Sequence, residues 1–253
     1  MTDPLQAQLI GLWLLFCRIG GCLLLAPGFS SPRVPVHLRL FLALGITAAV
    51  FPMMSSIIPE AISAMSPDHL VWLIPREATI GILIGLLARC FFLALQFAAT
   101  ATSNFIGLSG IPGIPLEESD TGSPLATLVS TASVALVFTL GLHVELLRAV
   151  VDSYAVMPLG TPLSAEMLLS NLLRSLAETW HLALRLSAPF LLYGVVVNFA
   201  LGVGNRFAQQ LSMYHATTGA VMLGGFLMLY LVWIDWATVF ADAYRSWLVD
   251  GGF

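Results

Sequence analysis

Apolar residues fall in long, unbroken runs along this chain, and polar residues collect in the short breaks between them. Leu5 to Ala26 is the first run, long enough to cross a bilayer, which takes about 20 helical residues. Asp3 and Pro4 supply an N-cap and a first helical position. Pro27 to Pro35, PGFSSPRVP, breaks the helix, and Val36 to Met54 is the second run. After a loop over Pro52 to Asp68, a longer third run covers His69 to Ala101; Pro75 divides it into a short helical piece, a kink and a helix. Ser123-Pro124 opens a fourth helix that extends to about Val150, followed by a loop over Ser153 to Pro162. Helix resumes at Ala165, is expected to kink at Pro189 and runs to Gly204. Asn205 to His215 is a polar break, and Ala216 to Tyr244 is the last run.

No segment alternates apolar and polar residues with the period of two that a half-buried strand requires. The pattern predicts an all-α, integral-membrane-type protein with about six apolar helical runs, kinked helices and a non-helical central segment. Ala165 to Trp180 differs from the other runs because it is amphipathic. Leu168, Leu169, Leu172, Leu173, Leu176 and Trp180 share one face, with Asn171, Arg174, Ser175 and Glu178 mostly opposite. That face suits an interface or the surface of a partner.

The central segment, Asn104 to Pro124, reads NFIGLSGIPGIPLEESDTGSP. Its glycines and prolines exclude helix and ordinary sheet, yet its first half is apolar through Phe105, Ile106, Leu108, Ile111, Ile114 and Leu116. Irregular backbone among membrane-type helices is tolerated where protein or a water-filled cavity surrounds it. Two readings stand: a pore-lining or plugging element, and a surface loop resting on its neighbours.

Composition agrees with the runs. Of 253 residues, 58% are hydrophobic and 9% charged, against about 25% charged in soluble domains. All ten basic residues are arginine, the net charge is -4, and no basic block is present, so nucleic acid is not an expected partner. Cys17, Cys22 and Cys90 lie in apolar runs without metal-ligand spacing and read as buried thiols. The start, MTDPLQAQLI, has no cationic segment before its apolar stretch, so a cleaved signal peptide is not expected.

Enzymatic signals are weak. His143 and Glu145 give an H-x-E pair without the cysteine pair that completes a zinc deaminase site. Gly202-Val203-Gly204 has no preceding strand, and Ser109 lacks a nucleophile-elbow context. No cofactor, metal or catalytic residue is expected. Charges inside the runs carry more information. Arg18, Arg89, Arg185 and Asp235 would each cost roughly 2.5–3.5 kcal/mol at the centre of a membrane helix. They are read as buried charges that pair across helices or line a pore. For Arg185 and Asp235 the alternative is a position nearer a helix end, with the charge reaching water.

Several stretches together resemble the FliR/SctT family of type III export-gate proteins. They are Phe16 to Leu40, FCRIGGCLLLAPGFSSPRVPVHLRL; Asn104 to Pro124; Leu140 to Gly160, LGLHVELLRAVVDSYAVMPLG; Ala188 to Phe190; and Leu201 to Tyr214, LGVGNRFAQQLSMY. The resemblance covers nearly the whole chain in order. One departure is Ala208-Gln209-Gln210, where members of the family often carry Pro-Gln.

The resemblance implies a non-enzymatic core subunit of the flagellar export gate, in the bacterial inner membrane at the flagellar basal body. Its implied partners are FliP and FliQ in a hetero-oligomer, FlhB and FlhA, and, transiently, unfolded export substrates. It implies one subunit over 1–253, with a FliP-like helical group over 1–160 and a FliQ-like hairpin over 161–253. The family's plug maps onto Ile106, Gly107, Leu108, Gly110, Ile111, Pro112, Gly113, Ile114 and Pro115, within the segment 104–124. The alternative, a polytopic small-solute transporter or channel subunit, would carry an inverted repeat, and none is visible.

Overall fold

Uninterrupted apolar sequence becomes uninterrupted helix, because a helix satisfies each backbone donor and acceptor within its own segment. The computed structural model describes residues 4–31, 34–54, 62, 67–108, 124–161, 164–207 and 213–249. Within them lie α1 (Pro4–Leu25), α2 (Val36–Met54), α3 (Pro67–Phe105), α4 (Pro124–Thr139), α5 (Leu142–Val156), α6 (Ala165–Phe207) and α7 (Met213–Val249). No strand occurs among the described residues. Five helices are long and apolar enough to cross a membrane, and six spans result if α4 and α5 count as one bent span.

The fourth run is two helices rather than one. The chain bends by 70° between α4 and α5. Gly141 at the break takes a left-handed φ of 71°, and its N–H donates to the Phe138 carbonyl at 3.3 Å. That conformation stops α4, and glycine is the residue that adopts it without strain. Boundaries also shift: α3 continues past Ala101 to Phe105, α5 past Ser153 to Val156, α6 past Gly204 to Phe207, and α7 starts at Met213 and continues past Tyr244 to Val249. Helix runs through Pro75 in α3 and through Pro189 in α6. The piece expected before Pro75 is the start of α3.

The chain divides into two compact units. One draws on Met1–Cys90, Phe138–Ala177 and Tyr244–Phe253; the other on Phe91–Val137 and Glu178–Ala243. In the first, Leu14, Leu15 and Ile19 of α1, Ile80, Ile84 and Leu87 of α3, and Tyr244 and Trp247 of α7 are buried. Trp247 Nε1 donates to Ser175 Oγ of α6 at 3.1 Å. In the second, Phe92 meets Phe240 edge-on at 5.3 Å and Phe190 meets Trp236 at 5.5 Å, while Trp236 Nε1 donates to the Leu186 carbonyl at 3.0 Å. Within the second unit, Leu186 meets Trp236 and the later Tyr193 meets the earlier Val221, so α6 and α7 run antiparallel there.

The amphipathic start of α6 uses its faces unevenly. Ser175, Thr179, Leu182 and Ala183 are buried, whereas Leu169, Leu173, Leu176 and Trp180 are exposed. The small polar side chains admit α7, and the large apolar ones face outward. Exposed apolar residues recur on α2, α6 and α7, among them Phe41, Phe199 and Ile234. Large exposed apolar side chains of that kind suit contact with lipid or with other protein.

Candidate functional site

Close helix approach places a fully buried arginine, Arg18. A Cβ added at Gly81 or Gly85 of α3 would overlap the carbonyl of Arg18 or Cys22 on α1. One added at Gly21 would lie 2.7 Å from the Ala78 carbonyl oxygen. Small residues at this spacing let two helix backbones touch. Glu77 lies one turn before Gly81, on the face that α1 covers, and so stands beside Arg18.

Both Arg18 and Glu77 are fully buried. Arg18 Nε donates to Glu77 Oε2 at 2.6 Å, Nη1 to Ser153 Oγ at 2.9 Å and Nη2 to the Met157 carbonyl at 3.2 Å. Its guanidinium carbon lies 3.6 Å from the centre of the Tyr154 ring. The other carboxylate oxygen, Glu77 Oε1, accepts from Arg76 Nη1 at 2.8 Å. Arg76 Nη2 donates to the Pro158 carbonyl at 2.7 Å and to Thr161 Oγ1 at 3.1 Å. Two guanidinium groups thus share one carboxylate, and the Met157 and Pro158 carbonyls and the Ser153 and Thr161 hydroxyls take further donors. The centre joins α1, α3, α5 and the turn that follows α5. Its chemistry is that of a lock: each nitrogen of the Arg18 guanidinium donates to an acceptor.

The other charges singled out in the sequence lie elsewhere. Arg89 on α3, Arg185 on α6 and Asp235 on α7 are each exposed on this chain. His143 stacks against Phe138 at 4.9 Å, and Glu145 pairs with Arg148 at 3.2 Å, so the H-x-E pair is engaged in local contacts. Among the described residues, no three His, Cys, Asp or Glu side chains are grouped to hold a metal ion.

The root of the central segment is ordered helix and turn. Asn104 and Phe105 close α3, Ile106 is fully buried, and Gly107 turns the chain with a φ of 81°. Leu108 is half-buried. Gly110, Ile111, Pro112, Gly113, Ile114 and Pro115 lie outside the described residues, as do Ala208, Gln209 and Gln210.

Sequence reasoning singled out Arg18 by its depth in an apolar run but missed Glu77, Ser153, Tyr154 and Met157 as its surroundings. One signal was present: Glu77, Gly81 and Gly85 recur every fourth residue and share a helical face. Ser153 and Met157 are 135 and 139 residues from Arg18, beyond any periodicity.

A family model described as bacterial export proteins, family 1, matches residues 9–247. The chain is 24% identical over 235 residues to the flagellar biosynthetic protein FliR of Caulobacter vibrioides, covering 93% of each chain. It is 28% identical over 193 residues to FliR of Escherichia coli, covering 75% of this chain and 71% of that one. To the Yop proteins translocation protein T of Yersinia pestis it is 26% identical over 221 residues, covering 85% and 82%.

Proposed function

The chain belongs to family 1 of the bacterial export proteins, and from that membership we propose that it is a non-enzymatic core subunit of a flagellar type III protein export gate. The observation that carries this reading is the family match over 9–247, together with relatives named for flagellar biosynthesis and for Yop translocation. The proposed setting is the bacterial inner membrane at the flagellar basal body. There the subunit assembles with FliP and FliQ, associates with FlhB and FlhA, and passes unfolded substrates. Residues 1–160 serve as its FliP-like part and 161–253 as its FliQ-like hairpin.

Physical features support an assembled role. Large apolar side chains such as Leu169, Leu173, Trp180, Phe199 and Phe226 stand exposed along α6 and α7, and subunit contacts would cover them. Arg89 of α3, Arg185 of α6 and Asp235 of α7 are each exposed on an apolar helix, where pairing with a neighbour or contact with a wet channel relieves the cost of a charge in hydrocarbon. The segment from Ile106 to Pro115 is proposed to help close the channel, because apolar constrictions exclude water and so block ions.

Deleting the gene and restoring it from a plasmid tests the function. Flagellar proteins should vanish from the culture medium on deletion and return on complementation. Continued export without the chain contradicts the proposal.

A further inference from the structure

Charge divides the α6–α7 pair of the second unit along its length. On α6, Glu178, His181 and Arg185 are exposed. From Leu186 to Gly204 there is no charged residue or histidine, and Arg206 is the next charge. On α7, Thr217 to Ile234 is likewise free of charge and histidine, and Asp235 and Asp242, both exposed, follow. The two changes fall at one level of the packed pair. Trp236 Nε1 donates to the Leu186 carbonyl at 3.0 Å, so Arg185 and Asp235 each stand one residue from the same contact. The Tyr193 hydroxyl donates to the Val221 carbonyl at 2.6 Å, so the two charge-free stretches lie alongside each other.

Their length is that of a membrane. At 1.5 Å per residue they run for about 27–29 Å, against roughly 30 Å for the hydrocarbon layer of a bilayer. Their surface is apolar: Leu192 and Val196 of α6 and Leu227 and Leu231 of α7 are exposed. Polar side chains within them bond back to this chain. Ser187 Oγ donates to the Ala183 carbonyl at 2.8 Å, and Asn198 Nδ2 to the Gly194 carbonyl at 2.8 Å. Tyr230 and Trp233 lie next to the charged edge, where the border of a bilayer favours aromatic rings with a polar tip.

We infer that the acyl chains of the bilayer lie against Leu186–Gly204 and Thr217–Ile234, and that the turns bearing Glu178, His181, Arg185, Asp235 and Asp242 stand outside the hydrocarbon. Helices of 43 and 37 residues offer several other placements, and each of those sinks exposed charges into lipid. A protein neighbour would also cover apolar side chains. It would not require both helices to change character at one level, nor the charge-free length to match a bilayer; a hydrocarbon slab requires both. The inference concerns where the chain sits and holds whatever machine the chain serves.

Labelling from the lipid side tests it on the unaltered chain. The full-length protein, purified with its companions in mild detergent, is placed in phosphatidylcholine nanodiscs in which part of the lipid carries a diazirine within an acyl chain. After irradiation, adducts are mapped by mass spectrometry. Residues 186–204 and 217–234 should carry at least about tenfold more adduct than 178–185 and 235–242, because charged turns avoid hydrocarbon. Adducts on the charged turns at a similar or higher level, or none on the charge-free stretches, would overturn the inference.

Discussion

A buried guanidinium persists only if it is paired and hydrogen-bonded, and each nitrogen of Arg18 finds an acceptor, in Glu77, Ser153 and the Met157 carbonyl. Removing one member strands the others. Arg18→Leu leaves Glu77 with Arg76 alone, and Glu77→Leu leaves the buried Arg18 and the part-exposed Arg76 without their anion. Each change should destabilise the chain by about 3–5 kcal/mol, read as loss of folded protein in detergent extracts and a lower melting temperature. Arg18→Lys should recover only part of the loss. An ammonium cannot reach the acceptors on three sides in the geometry of a planar fork, nor stack on Tyr154 in the same way. Melting temperatures of Arg18→Leu and Arg18→Lys equal to that of the unmodified chain would show that the centre contributes nothing. Arg18 was visible in the sequence as a charge deep in an apolar run. Ser153 and Met157 were not, because contacts 135 and 139 residues away leave no local pattern, and Glu77 showed only as a member of the Gly81–Gly85 helical face.

At the scale of elements, most helices were legible because run length and proline placement set them directly, and the all-helical class follows from the absence of alternation. The 70° break at Gly141 was not legible. A glycine inside an apolar run is compatible with continuous helix, and only its left-handed φ, set by tertiary contacts, decides otherwise. The outward leucine face of early α6 was visible as a face, but not that Ser175 and Thr179 would form the packed one. Helix contact yields its own prediction. Gly81→Val inserts two methyl groups and a Cβ where the Arg18 backbone lies, forcing α1 from α3 and pulling Arg18 away from Glu77. Gly20→Ala meets open space within this chain. In detergent, the first should cost about 3 kcal/mol or more and the second less than about 0.5 kcal/mol, compared by thermal unfolding. Equal melting temperatures would show that α1 and α3 do not approach as closely as the glycines indicate.

For the whole molecule, length is informative. Helices of 39, 43 and 37 residues (α3, α6 and α7) are about 55–65 Å long, roughly twice the hydrocarbon thickness of a bilayer. Lipid alone does not account for so much apolar helix, which fits packing against neighbouring subunits. In electron cryo-microscopy of the purified assembly, the detergent belt should therefore leave much of these helices uncovered by lipid or detergent. A belt enclosing their midpoints all around, with Arg89 facing lipid, would refute this. Deleting Ile106 to Pro115 should raise ion leakage in cells that assemble the complex; unchanged leakage with normal assembly would argue against a closing role. The central claim, membership in an export gate, is tested most directly by purifying the full-length tagged chain from its own cells under mild detergent and identifying its companions by mass spectrometry. FliP and FliQ are expected in a stable complex with the chain that survives gel filtration. Recovery of the chain alone, or only with proteins unrelated to export, from cells that are actively exporting flagellar proteins would contradict it.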